Sequence, residues 1–440
     1  MSHGFADSVA TCLNMSDLPL PVSKSCTSLQ QSAPPKRVMS AVPLHFFRLA
    51  ILLVCICWPA SRPALAQTGS CPQTAASDDI APASPEHVGM RSGRLAEAIK
   101  SLRGKDRDIH ALVVLRNCKV VVELYAENVT RDHNHALYSV TKSVLATLIG
   151  VLLKSGRLSS LDVSVADIIA APTKLEADKL EKARRVRIRD VMTMSSGLEY
   201  HDNPASHPIY GTADRLQFAL APAFVHEPGQ HYNYSNGDAS IADAVAVAAA
   251  GKDLLSYGNE VLFAPLGFKN VEWWFRDKAG RYPGGWGLRL RAIDMAKFGQ
   301  LYLQKGRWQD KTIIDAAFVA ETWKPSRAAS HYGLFWWRWV QEDPAIGPVH
   351  FANGFKGQRI YVVPKHGIII AVSANISDAD AQGAYPALVH AVVSAVQRNA
   401  PINQSPSDAN RLAEQLRLPF SGKPGNPMSP SGQDVPQLPK

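Results

Sequence analysis

The feature that most constrains this chain is that β-rich runs stand at both ends of a long helical stretch. His110–Leu115 and Lys119–Tyr125 are rich in β-branched and aliphatic residues, and Arg116-Asn117-Cys118 between them suits a hairpin turn. Gly333–Val340, Arg359–Val363 and Gly367–Ser373 are similar runs far along the chain. Between the two groups, residues 160–325 read as helices broken by Pro- and Gly-rich loops, among them Val186–Met194, Ala213–Leu220, Ile241–Ala250 and Ile293–Leu303. Strands from both ends must share a sheet to bury their apolar faces. The expected architecture is therefore an α/β (α+β) fold. One antiparallel sheet is built from residues 85–135 and 330–400, flanked by N- and C-terminal helices over 86–103 and 384–398. The helical region over 139–325 is inserted. From Pro401 on, Pro, Ser, Gly and Gln dominate without periodicity, so residues 401–440 are expected to be disordered.

The N-terminus points to export. Residues 49–58, LAILLVCICW, form an apolar run preceded by Arg48 and followed by Ala64-Leu65-Ala66. The run is shorter than the ~20 residues that span a bilayer. It suits a signal peptide over 39–66, cut before Gln67, with residues 1–38 a mis-assigned extension and Met39 the start. The mature chain is then periplasmic or secreted and carries no stable membrane span. Of six cysteines, Cys71 and Cys118 remain after the cut. In an oxidising compartment they are either one disulfide or two unrelated thiols. The net charge of +9 raises nucleic-acid binding. The densest basic cluster (Lys182, Arg184, Arg185, Arg187 and Arg189) sits beside Glu181 and Asp190 and lacks interleaved aromatics, so no nucleic-acid partner is expected.

Ser139–Lys154 is apolar nearly all the way round (Val140, Val144, Leu145, Leu148, Ile149, Leu152, Leu153), which predicts a buried helix ended by Gly156. At its start Ser139-Val140-Thr141-Lys142 is an S-x-x-K tetrapeptide. Positions i and i+3 share a helix face, so hydroxyl and amine can meet. A cation in the first turn opposes the helix dipole, and burial also disfavours its charge, so Lys142 is expected to be neutral and able to take the hydroxyl proton. The alternative is a capping serine beside a surface lysine. Tyr234-Ser235-Asn236, a Y-x-N triplet 95 residues on, offers a phenol to relay a proton and an amide to orient lysine and substrate; alone it would be a turn. Ala352-Asn353-Gly354-Phe355-Lys356-Gly357-Gln358 is either a hairpin turn or a strand edge where Gly354 admits substrate. In the second case the N–H groups of Ser139 and Phe355 form an oxyanion hole. Zinc is not favoured at His133-Asn134-His135, whose histidines alternate across an extended segment, or at His226-Glu227 with His231, where Pro228-Gly229 breaks the helix that H-E-x-x-H requires. No G-x-S-x-G elbow is present.

Taken together, these motifs resemble the serine β-lactamase, penicillin-binding-protein and esterase superfamily over residues 85–398. Val191-Met192-Thr193-Met194-Ser195-Ser196-Gly197, Ala264-Pro265-Leu266-Gly267 and Gly285-Trp286-Gly287-Leu288 are also similar to that family. The resemblance implies an acyl-enzyme mechanism without metal or cofactor. Ser139 would be the nucleophile, Lys142 and Tyr234 the proton carriers, and Asn236 the orienting amide. Relatives that handle β-lactams usually carry Lys-Thr-Gly or His-Thr-Gly where this chain has Ala352-Asn353-Gly354, which removes their carboxylate clamp. Lys356 is a partial substitute only if the strand continues that far. The Ala-x-Gly-x-x-Gly-Gln form and Gly333-Leu334-Phe335-Trp336-Trp337 are closer to the branch of 6-aminohexanoate-dimer hydrolases and esterases. That branch implies a small-molecule amide or ester substrate, with Gly354, Asn353 and Trp336 against it. Trp273-Trp274 could line an acyl pocket, although core packing suits at least one tryptophan of each pair. Two other readings are a class C β-lactamase or D-Ala-D-Ala carboxypeptidase, and a penicillin-binding-like sensor without turnover.

Overall fold

A computed structural model describes residues 80–103, 107–169, 175–201 and 208–421. The chain divides into Met1–Ala64 and Leu65–Lys440, and everything described belongs to the second unit. The proposed extension, the signal peptide and Cys71 therefore lie outside the described residues. Cys118 is disulfide-bonded, and as the one cysteine among the described residues its partner lies outside them.

The described chain begins with helix α1 (Ser92–Arg103), the hairpin β1 (Ile109–Arg116) and β2 (Lys119–Tyr125), a short β3 (Asn134–Ala136) and helix α2 (Val140–Lys154). The helical region follows as α3 (Val165–Ile169), α4 (Ala177–Arg185), α5 (Ile188–Met192), α6 (Arg215–Ala219), α7 (Asn236–Ala250) and α8 (Leu254–Gly258). Next come β4 (Glu272–Trp273), β5 (Leu288–Arg291), α9 (Ala292–Leu303), the pair β6 (Arg307–Trp308) and β7 (Lys311–Thr312), and α10 (Ala316–Trp323). The chain ends with β8 (Trp337–Arg338), β9 (His350–Gly354), β10 (Gln358–Val363), β11 (Ile368–Ala374), α11 (Asp378–Ser394) and α12 (Pro406–Arg417).

The main sheet runs β2-β1-β11-β10-β9-β8, antiparallel throughout, so its first and last parts come from opposite ends of the sequence. β11, Ile-Ile-Ile-Ala-Val-Ser-Ala, pairs with β1 through Leu112↔Val372 and Val113↔Ala371. Its residues are apolar on both faces because both faces are covered. Val113, Leu115, Ile369 and Ala371 join the core beneath α2 and α9. Leu112, Val114, Ile370 and Val372 join a second core beneath α1, α11 and α12. α2 has no polar face because β9 and β10 lie on one side of it and α7 on another.

Three expectations need correction. Residues 401–421 are ordered as far as described. Ser405 caps α12 by accepting from Asp408 N–H, Pro406 takes the first turn, where its missing N–H costs nothing, and Leu412 is buried against α1. The single apolar anchor in a polar segment hid this helix. Only Trp337–Arg338 of Gly333–Val340 is strand, since Phe335 has a left-handed φ of 56° that breaks the extended run. The helix expected over 86–103 is split at Gly89, whose φ is 75°.

Candidate active site

The loop from β3 to α2 turns at Tyr138, in the left-handed region at φ 46°, and delivers Ser139 to the N-cap position of α2. The Ser139 side chain makes no capping bond. Instead its Oγ accepts from Lys142 Nζ at 3.1 Å, one turn further along the same helix. Lys142 is only 1% exposed, so it is no surface lysine. Its amine also donates to Asn236 Oδ1 at 2.8 Å and to the Gly285 carbonyl at 3.2 Å. These three oxygens are neutral, so the amine is held without an ion pair to any of them.

Asn236 begins α7, where Ser235 caps by accepting from Asp238 N–H. Its amide nitrogen donates to the Tyr210 hydroxyl at 3.1 Å. Two residues earlier, the Tyr234 ring lies with its centroid 4.8 Å from Lys142 Nζ. The loop carrying Tyr234 rests on the 191–201 segment. Asn233 N–H donates to Met194 O, Ser235 N–H reaches Met194 Sδ, and the Asn233 amide donates to Tyr200 O. The stretch Val191–Gly197, noted in sequence only for its likeness to the family, is thus the seat of the Y-x-N loop. The Tyr234 ring, the Lys142 amine and the Ser139 hydroxyl thus lie in one neighbourhood.

The third element also arrives. Gly354 ends β9 so close to the turn before α2 that a Cβ there would strike the Leu137 carbonyl and approach Val140 Cγ2 to 3.3 Å. The strand can pass the turn that carries Ser139 only because position 354 has no side chain. Phe355 begins the turn beyond it, 45% exposed, its ring edge-on to Tyr138 at 5.6 Å. Ala352 is buried in the core that α2 shares with β9. Lys356, at φ 58°, stands in the turn and outside the strand's alternation. Asn353 shares the other face of β9 with Phe351, which stacks on Trp337.

Trp336 is an expected site residue that the structure turns into the core. It is 1% exposed and packs among Phe298, Tyr302 and Trp323 in the core. Its neighbour Trp337 takes the place at the site, with its ring 5.6 Å from that of Tyr234 and 4.9 Å from that of Tyr332. The bend at Phe335 decides which indole faces in. Sequence reasoning also missed Tyr210, Tyr332 and the Gly285 carbonyl. Burial holds the Tyr332 phenol well above its usual range, with Tyr234 and Tyr232 adding to the effect.

Behind the amine, Asp243 of α7 is 1% exposed and accepts from Gly284 N–H at 2.8 Å. Burial pushes its carboxyl from 3.8 up to about 7, against the opposing pull of Arg215 and that N–H. A folded-state value above the unfolded one means that the folded chain binds the extra proton. The residue's contribution to stability is therefore full below 3.8 and is lost as pH rises through about 7. Asp243→Asn should raise the Tm relative to wild type more at pH 9 than at pH 5, as thermal melts at the two pH values will show.

The antiparallel sheet sandwiched by helices, with a serine and a buried lysine one turn apart on a helix packed against β9, defines a β-lactamase-type fold. Residues 96–393 match the Beta-lactamase family model, and the chain belongs to that family. The chain is 22% identical over 347 residues to the 6-aminohexanoate-dimer hydrolase of Paenarthrobacter ureafaciens, covering 73% of this chain and 87% of that protein. Among solved structures, EstCE1, a hydrolase with promiscuous acyltransferase activity, aligns with a TM-score of 0.56 at 18% identity, over 69% of this chain and 99% of that one. The octameric penicillin-binding protein homologue of Pyrococcus abyssi aligns at 0.50 and 18%, over 64% and 73%. At such identities the structural likenesses establish the fold. The chain is a β-lactamase-fold hydrolase related to 6-aminohexanoate-dimer hydrolase.

Proposed function

We propose that this protein is an exported serine hydrolase that cleaves a small linear ester or amide through an acyl-enzyme. The observation that carries this reading is the buried Lys142 amine, shared between Ser139 Oγ, Asn236 Oδ1 and the Gly285 carbonyl. Burial away from water favours the uncharged form of this amine; in that form it donates to the Asn236 and Gly285 oxygens, turns its lone pair to the Ser139 hydroxyl and takes its proton. Oγ then attacks the substrate carbonyl carbon, and the new oxyanion is held by the backbone N–H groups of Ser139 and Phe355. The carbonyl re-forms as the bond to the leaving group breaks. Tyr234 passes a proton from Lys142 to the departing oxygen or nitrogen. A water molecule, deprotonated through the same pair, attacks the acyl-Ser139 ester, and Oγ leaves with the returned proton.

The walls indicate the substrate class. Ala352 and Gly354 offer no cation to a substrate carboxylate, which disfavours a β-lactam or peptidoglycan carboxy-terminus. Phe355, Tyr138 and Trp337 offer aromatic surface, suited to an acyl chain. The kinship with a 6-aminohexanoate-dimer hydrolase supports a linear amide as one member of that class. Purified protein assayed on p-nitrophenyl acetate, a linear aminohexanoate dimer and a cephalosporin should turn over one or both of the first two. Turnover of the cephalosporin alone would reject the proposal.

A further inference from the structure

We infer that Asp243 is a positioning residue for Lys142, acting through the strap Pro283-Gly284-Gly285-Trp286. The inference rests on the reading of Lys142 as the base. The strap crosses between α2 and α7, so close to both that a Cβ on Gly284 would lie 2.5 Å from Leu145 Cδ2 and 2.7 Å from Asp243 Cβ. A Cβ on Gly285 would lie 2.8 Å from Asn236 Oδ1 and 3.3 Å from Lys142 Nζ. Two consecutive glycines are what allow this approach, and they also give the segment more backbone freedom than any other pair would.

That freedom is removed by hydrogen bonds from two sides. The Trp273 indole N–H donates to the carbonyls of Pro283 at 3.0 Å and Trp286 at 3.2 Å. Asp243 Oδ2 accepts from Gly284 N–H at 2.8 Å. The peptide between Pro283 and Gly284 is thus held at both its oxygen and its nitrogen. With both flanks of the strap fixed, the Gly285 carbonyl is left aimed at Lys142 Nζ. A lysine amine on its flexible stem needs such fixed acceptors to keep a single pose.

The Asp243 carboxyl is faced by Arg215 of α6 and by Asp277 and Arg281 of the loop leading into the strap. Arg215 donates to the Phe275 carbonyl at 3.1 Å and to the Arg281 carbonyl, and Asp277 accepts from Arg215 N–H at 3.2 Å. This buried charge network holds the approach to the strap. Asp243 is its contact with the strap itself, and Asp243 Oδ1, buried and without a hydrogen bond, adds nothing to the network. The role assigned to Asp243 is that of a hydrogen-bond acceptor, and its charge is not required.

The test compares wild type, Asp243→Asn and Asp243→Ala by the rate at which a fluorophosphonate labels Ser139, and by kcat and KM on the best ester found. Because small displacements of a reacting group cost up to about 100-fold in rate, Asp243→Ala should lose about 10-fold or more in labelling rate and kcat, with KM within about twofold. Asp243→Asn keeps an oxygen for Gly284 N–H and should recover both to within about threefold of wild type. If the alanine variant does not fold, Asp243→Leu, which fills the volume without an acceptor, must show the same loss. Wild-type labelling rates in the Ala or Leu variant overturn the inference. So does an Asn variant as slow as the Ala variant, since charge would then be what matters. A wild-type protein that does not label at all overturns the reading of Ser139 itself, and this inference with it.

Discussion

Replacing Ser139 by alanine is expected to abolish fluorophosphonate labelling and to lower kcat/KM by about 10⁴- to 10⁶-fold, leaving the Tm nearly unchanged. The size follows from the role: without Oγ no acyl-enzyme forms, and what remains is the background that oxyanion donors and binding alone provide. The small effect on stability follows from the structure. Ser139 stands at the start of α2 without a side-chain cap, and the one bond its hydroxyl accepts comes from Lys142. Losing a used cap typically costs about 1 kcal/mol, and here there is none to lose. Intact labelling or near-normal turnover in the variant would remove Ser139 from the mechanism. A large fall in Tm would instead mark the residue as structural.

Lys142→Met should produce the second large effect, a fall of about 10³-fold or more in kcat with the protein still folded. Methionine keeps most of the apolar stem within a helix that is buried all round, so the packing of α2 survives. What is lost is the amine that bridges Ser139, Asn236 and Gly285. Loss of the amine's hydrogen bonds to two buried acceptors costs up to about 1–3 kcal/mol each, and release from burying an amine offsets part of that. Denaturant unfolding should therefore show a modest loss, while labelling of Ser139 becomes very slow. If the variant unfolds, or if its activity is retained, the amine is structural, and the base must be sought elsewhere.

Much of this arrangement was legible in the sequence, for a reason that differs between elements. α2, β1 and β11 are largely apolar on all sides or on both faces, so their burial could be read locally. The contact between Ser139 and Lys142 follows from helical spacing alone. The Y-x-N triplet and Gly354 were recognisable as types, since a phenol beside an amide and a glycine on a strand each imply a role wherever they are brought. The errors arose where one backbone angle outweighed the pattern. Phe335 at φ 56° ended the expected strand and turned Trp336 into the core in place of Trp337. In the 401–421 segment, Leu412 found a partner in the core beneath α1 that local composition could not reveal.

The sequence by itself determined which segments must be buried and which chemical groups could act as nucleophile and base, because periodicity and i,i+3 spacing are properties of a few neighbouring residues. Only the tertiary structure decided that Asn236, 94 residues from Lys142, and the Gly285 carbonyl, 143 residues away, meet the same amine. A backbone carbonyl has no signature in the sequence. Its direction is fixed by what packs against it, here Trp273 on one side and Asp243 on the other.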